Sequence, residues 1–208
     1  MKTLDRLSEN LSRRATWRTI LPSLLLLAAV LFFMETGPSG KAALAKASGG
    51  QGMLNMEFGY GAGTLYSLFD SLGPAGLGLY SRLLCLDFAF AAAFMLFQSL
   101  TLSSLLRRAG APSRLRRLNL LPFARSALDA AENLLLLALM GLFPERFPLL
   151  AAAASLATML KWILHYVIVG LLLLTGFLSG WRKKQEQKRR GRTSAADKSA
   201  RPRRRLAA

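Results

Sequence analysis

Residues 149–180 read LLAAAASLATMLKWILHYVIVGLLLLTGFLSG, a run in which Lys161 is the single formal charge at neutral pH. An apolar stretch of about 18 residues or more belongs in lipid, because a soluble fold has no core deep enough to bury it on all sides. In hydrocarbon every backbone N–H and C=O must be satisfied within the segment, so the run is a helix. Two more runs follow the same rule, at 77–106 and 118–143. A shorter one at 20–34 is flanked by Trp17, Thr19 and Glu35, residue types that gather at the edges of a span.

The rest of the chain fits around these segments. Its 208 residues are 52% hydrophobic, and 28 Lys+Arg stand against 11 Asp+Glu. The spans leave no room for a separate soluble domain of ordinary size, so any chemistry sits within or beside the bundle. One cysteine, Cys85, excludes an intramolecular disulfide, and one histidine, His165, excludes a multi-histidine metal site. The expected fold is an all-α membrane protein, a four-transmembrane-helix bundle with a short outer amphipathic helix.

The first span competes with a signal peptide, since Lys2, Arg6, Arg13, Arg14 and Arg18 suit either. The nearest A-x-A triplet, Ala45-Lys46-Ala47, lies too far beyond the apolar run for a cleavage site, which favours an uncleaved anchor over 18–35. Charge then sets orientation. Residues 1–17 with Arg18, the arginine-rich turn 107–117 and the tail 181–208 together hold 22 Lys/Arg against 4 Asp/Glu. The segment 36–76 with its flank and the turn 144–148 hold 3 against 4, and the spans 3 against 3. The positive-inside rule therefore predicts both termini in the cytoplasm.

Residues 37–52 have the Gly/Ser/Ala/Lys composition of a flexible linker. Beyond them Leu65, Leu68, Phe69 and Leu72 recur at helical spacing until Gly73-Pro74, which predicts a short amphipathic helix on the outer surface or capping the bundle. Phe58-Gly59-Tyr60-Gly61-Ala62-Gly63 has glycines spaced faintly like a phosphate loop, but no strand precedes it and no Lys-Ser/Thr follows, so it reads as a turn.

Ionisable residues inside the spans are the informative ones, since each costs about 2.5–3.5 kcal/mol to insert unless it finds a partner. On the third span Arg125, Asp129, Glu132 and Asn133 share one face. On the fourth, Lys161 and His165 are i and i+4, with Thr158 one turn earlier. On the second, Tyr80, Asp87, Gln98 and Thr101 form a stripe, and Arg82 points elsewhere. Asp87, Glu132 and Lys161 lie at similar depth, which predicts Lys161 between Asp87 and Glu132, with His165 near Asp129 and Arg125 below.

Two functions compete for this centre. It binds or relays a proton, ion or small polar ligand, or its charges only hold three helices in register, a reading that the three-against-three balance suits. A membrane-embedded lipid-modifying enzyme is the third reading. Its inventory is poor: the carboxylates have no visible substrate pocket, no serine sits in a G-x-S-x-G elbow, and Lys161 and Arg125 oppose a metal held by Asp87, Glu132 and His165. No catalytic residue, metal or cofactor is assigned.

The tail's twelve Lys/Arg among Gly191, Pro202 and small residues predict a disordered segment that meets anionic headgroups. No aromatic residue follows Trp181 to stack on bases, which argues against specific nucleic-acid binding. The Ala-rich fourth span also offers a face for a homo-oligomer.

Residues 58–181 resemble a group of bacterial four-span integral membrane proteins without an assigned activity. The likeness rests on Gly59-Tyr60, Leu86-Asp87, Asp129-Ala130-Ala131-Glu132-Asn133 and Ser155-Leu156-Ala157-Thr158 followed by Lys161-Trp162. It implies that these polar residues belong to one constellation, and it implies no reaction. The first span and the tail lie outside it.

Overall fold

The structure, a computed structural model, describes residues 2–50 and 52–200, and these residues contain helices and no strand. Seven α-helices follow in order: α1 (Lys2–Arg14), α2 (Trp17–Thr36), α3 (Lys41–Ala47), α4 (Ala62–Arg108), α5 (Ser113–Arg116), α6 (Leu121–Leu142) and α7 (Pro148–Ala200). Three helical stretches, Trp17–Ala47, Ala62–Arg108 and Pro148–Lys188, are long and apolar enough to cross a membrane. Helix α6 has 22 residues, but each of its 18-residue stretches contains Arg125, Asp129 and Glu132. Its length suits a span, and its side chains suit one only where neighbours cover that face.

Helices α4, α6 and α7 pack on one another, and α2 lies along α4. The break in α4 has a local cause. Gly73 takes φ 59°, a conformation open to glycine, and Pro74 disfavours helical geometry in the residue before it while fitting the first turn of the helix that follows. Leu65, Leu68, Phe69 and Leu72, on the short arm ahead of this break, are buried against Leu136, Leu139, Met140, Ala151 and Ala154. The arm therefore caps the bundle. Phe69 meets Phe143 edge-on with ring centroids 5.8 Å apart, and Phe147 N–H donates to the Tyr66 hydroxyl.

Within the stretch read as a linker, residues 37–50 are more ordered than that composition predicts. Lys41–Ala47 is helical, and Leu44 inserts into the apolar core of the capped end, 1% exposed. At the opposite end α1 lies against α4, α5 and the 3₁₀ turn Arg117–Leu120. Asn119 Nδ2 donates to Ser8 O (3.0 Å) and Ser103 Oγ (2.8 Å), and Arg107 caps the end of α1 by donating to Ser12 O and Ala15 O. Asp5 and Arg117 form an ion pair across the same contact.

The basic segment after Trp181 continues α7 to Ala200, where its composition predicts disorder from residue 182. Gln, Lys, Arg, Glu and Ala are good helix formers, and a helix already nucleated within the bundle propagates through them. Residues 201–208 of that tail lie outside the described residues.

Candidate functional site

Helix α6 supplies one face of the polar centre. Arg125, Asp129, Glu132 and Asn133 are all buried there, as their helical spacing predicts, and Glu132 and Asn133 are 0% exposed. Lys161 enters from α7. Its ammonium donates to Glu132 Oε2 (2.5 Å), to Asp129 Oδ1 (2.9 Å) and to the backbone carbonyl of Asn55 (3.0 Å), three acceptors for three N–H donors. The second oxygen of Glu132 accepts from Thr158 Oγ1 at 2.5 Å. This half of the centre is closed, with every charge paired.

Asp87 departs from its expected place. It makes no ion pair among the described residues, and its Oδ2 accepts from Asn133 Nδ2 (2.8 Å) and Asn55 Nδ2 (3.0 Å). Lys161 therefore lies between Asp129 and Glu132, not between Asp87 and Glu132. The physical reason is Asn55: its carbonyl takes the third lysine donor, and its amide occupies the carboxylate that a cation was expected to meet. Arg82, the remaining cation of the spans, is on an exposed face outside the cluster. The three-against-three balance of the sequence becomes three carboxylates, Asp87, Asp129 and Glu132, around two cations, Arg125 and Lys161.

The other half is open. Arg125 reaches Asp129 Oδ2 at 3.3 Å and lays its guanidinium over the rings of Phe94 (4.8 Å to the centroid) and Phe90 (5.9 Å). Its Nε and Nη1 are buried without a hydrogen-bond partner. His165 and Asp129 border one cavity, but the histidine packs among Phe94, Trp162 and Tyr166 instead of bonding to the carboxylate. Its Nδ1 and the indole N–H of Trp162 are likewise unpartnered. The cavity, about 190 Å³, is walled by Asn55, Asp87, Phe94, Arg125, Trp162 and His165 among others.

Asn55 is the member that helical patterning missed. It sits in the 3₁₀ turn Leu54–Met56, outside any span, and the only signal for it is one amide inside the short apolar run Met53-Leu54-Asn55-Met56. Besides the Asn55 carbonyl on Lys161, two backbone contacts hold this turn and the residues that follow it in the bundle. Leu54 N–H donates to the buried Tyr80 hydroxyl at 3.0 Å, and Tyr60 N–H donates to Ser155 Oγ at 2.9 Å. Tyr80→Phe keeps the ring and strands the Leu54 N–H, so the expected loss is about 1–3 kcal/mol, read as a lower unfolding midpoint. Gly59, at φ 145°, would place an added Cβ 2.9 Å from Met159 Cγ on α7. Gly59→Ala is expected to cost a further ~1–3 kcal/mol through backbone strain, and faster amide exchange at residues 54–60 would reveal it.

Of the glycines in 58–63, Gly59 makes the close approach to α7, Gly61 caps the start of α4 and Gly63 lies in its first turn, so the reading as a turn holds for 58–61 alone. Comparison of the chain with family models, with curated proteins and with solved structures finds no match to any of them.

Proposed function

We propose that this chain is a small four-span protein of the bacterial inner membrane, with both termini cytoplasmic, whose centre between α4, α6 and α7 takes up a proton, an ion or a small polar ligand. The carrying observation is the charge surplus: three buried carboxylates against two buried cations beside a cavity. A lone charge in a lipid-embedded bundle is costly, so a proton on Asp87 or His165, or a bound cation, restores the balance. A network built only for helix register has no reason to keep an unmatched carboxylate or to leave guanidinium and imidazole nitrogens unpartnered.

The inward face of α6 supports its assignment as the third of four spans. The packing of α1 on the arginine-rich turn at one end of the bundle supports the common cytoplasmic side of both, and the bacterial membrane is what the resemblance implies. The basic end of α7 and the tail beyond it suit anionic headgroups, at about 1 kcal/mol per charge close to the surface.

The closed half favours a second role within the same centre. Lys161, Glu132, Thr158 and the Asn55 carbonyl tie α6, α7 and the Leu54–Met56 turn together with every group satisfied, which is what register-setting requires.

The test is proton uptake by purified protein in liposomes across the neutral range, comparing wild type with Asp87→Asn and His165→Ala. Uptake in wild type that disappears in one variant identifies the proton carrier. If no pH between 5 and 9 yields uptake and neither added monovalent cations nor small polar ligands change thermal stability, the centre is structural.

A further inference from the structure

The cavity offers two kinds of unused bonding capacity at once. Asp87, 4% exposed, is a carboxylate bonded only by amides, with both donors landing on Oδ2. Arg125, 6% exposed, keeps Nε and Nη1 without a hydrogen-bond partner, and the Trp162 indole N–H is free beside it. All three side chains wall the same space. A simple cation would satisfy the carboxylate and leave the donors unmet. A simple anion would satisfy the donors and add to the negative surplus.

Resting on the ligand-binding reading above, we infer that the cavity binds a small zwitterion, its primary ammonium on Asp87 and its carboxylate or phosphate on Arg125 and Trp162. Such a molecule gives Asp87 a counter-charge and Arg125 and Trp162 an acceptor without adding to the negative surplus, which a proton on His165 offsets. The aromatic walls of Phe90, Phe94, Trp162 and His165 suit it further, since ring faces attract an ammonium and a dry wall strengthens both ion contacts. Size sets a limit. The cavity of about 190 Å³ equals roughly six water volumes at ~30 Å³ each, room for a ligand of the size of glycine. Two sources carry this chemistry, a free amino acid and the ethanolamine phosphate headgroup of a lipid. The second is accessible to a site whose rings Phe90, Phe94, Trp162 and His165 are only half-buried in a bundle surrounded by lipid.

The experiment uses the full chain in phosphatidylcholine nanodiscs, with binding read by calorimetric titration and thermal stability. The probes are glycine, the methyl diester of phosphoethanolamine, which keeps the single negative charge of the lipid headgroup, ethylammonium and acetate, alongside nanodiscs in which phosphatidylethanolamine replaces half of the phosphatidylcholine. The expected result is that glycine or the methyl phosphoethanolamine diester binds at least tenfold more tightly than ethylammonium or acetate. Asp87→Asn and Arg125→Lys should each weaken that binding tenfold or more, the lysine variant retaining the ion pair to Asp129 so that the protein stays folded. Stabilisation only in phosphatidylethanolamine discs, lost in the same variants, assigns the ligand to the lipid headgroup. Ethylammonium binding as tightly as glycine overturns the zwitterion and leaves the cation site standing. Proton uptake with no response to any probe or lipid also overturns it, and leaves the proton reading intact. No response and no uptake together sink both.

Discussion

Lys161→Met is expected to lower stability by about 3–5 kcal/mol, enough to leave little folded protein in the membrane. The lysine is the hub of the closed half: it is 3% exposed and meets two carboxylates and a backbone carbonyl. Methionine fills much the same volume, so packing survives and the loss is electrostatic. Glu132 would then face only the Thr158 hydroxyl, and the surplus of buried negative charge would grow from one to two. Glu132→Gln is expected to cost less, because Lys161 keeps Asp129 and Asn55. Combining Lys161→Met with Glu132→Gln should recover most of the lost stability, since it returns the surplus to one and leaves Arg125 with Asp129. Thermal unfolding of the three variants in one detergent checks this ordering. A double variant as unstable as Lys161→Met alone would mean that the lysine acts through shape and not charge.

This hub was half legible in the sequence. The spacing of Arg125, Asp129, Glu132 and Asn133 fixes a common face on any helix, and the depth of Lys161 brings it level with Glu132. What the periodicity lacks is the partner of each charge. Asp87 lies at the right depth to meet Lys161 and does not, because Asn55 arrives from a turn outside the spans, and residues 32 and 106 positions apart in the chain are joined by its amide and its carbonyl. Nothing in a helical pattern encodes a non-helical insertion. The same limit applies to Leu44: a Gly/Ser/Ala/Lys composition reads as linker, while one leucine among small residues suffices to anchor it once a core is present to receive it. The capping arm was clearer, since Gly73-Pro74 marks its end by backbone sterics alone and its buried leucines keep their period up to that point. Charge balance is the least legible property. Over all spans it is even, three against three, whereas the cluster excludes Arg82, which the helical stripe already places off that face and the packed bundle leaves exposed.

Asp87→Asn tests that corrected balance most directly, and the expected result runs against the usual outcome of altering a buried charged residue. Asparagine is nearly isosteric with aspartate, and its carbonyl oxygen can accept from both Asn55 Nδ2 and Asn133 Nδ2, as Oδ2 of Asp87 does at 3.0 and 2.8 Å. The hydrogen bonds are therefore retained. Removing the carboxylate leaves Asp129 and Glu132 against Arg125 and Lys161, two charges of each sign, all in contact. Thermal stability at neutral pH should be unchanged or higher, because the unmatched charge no longer needs a proton or ligand to offset it. Its dependence on pH should flatten. The sign follows from the proton uptake proposed above: a folded protein that holds a proton which the unfolded chain has released is favoured at low pH, so wild-type stability falls as pH rises through the neutral range. The variant has no such proton to lose and should hold its unfolding midpoint constant over that range. Uptake in liposomes should vanish with it. A large loss of stability in Asp87→Asn, with the pH dependence of the wild type retained, would show that the carboxylate is balanced within the fold and that the surplus resides on another group.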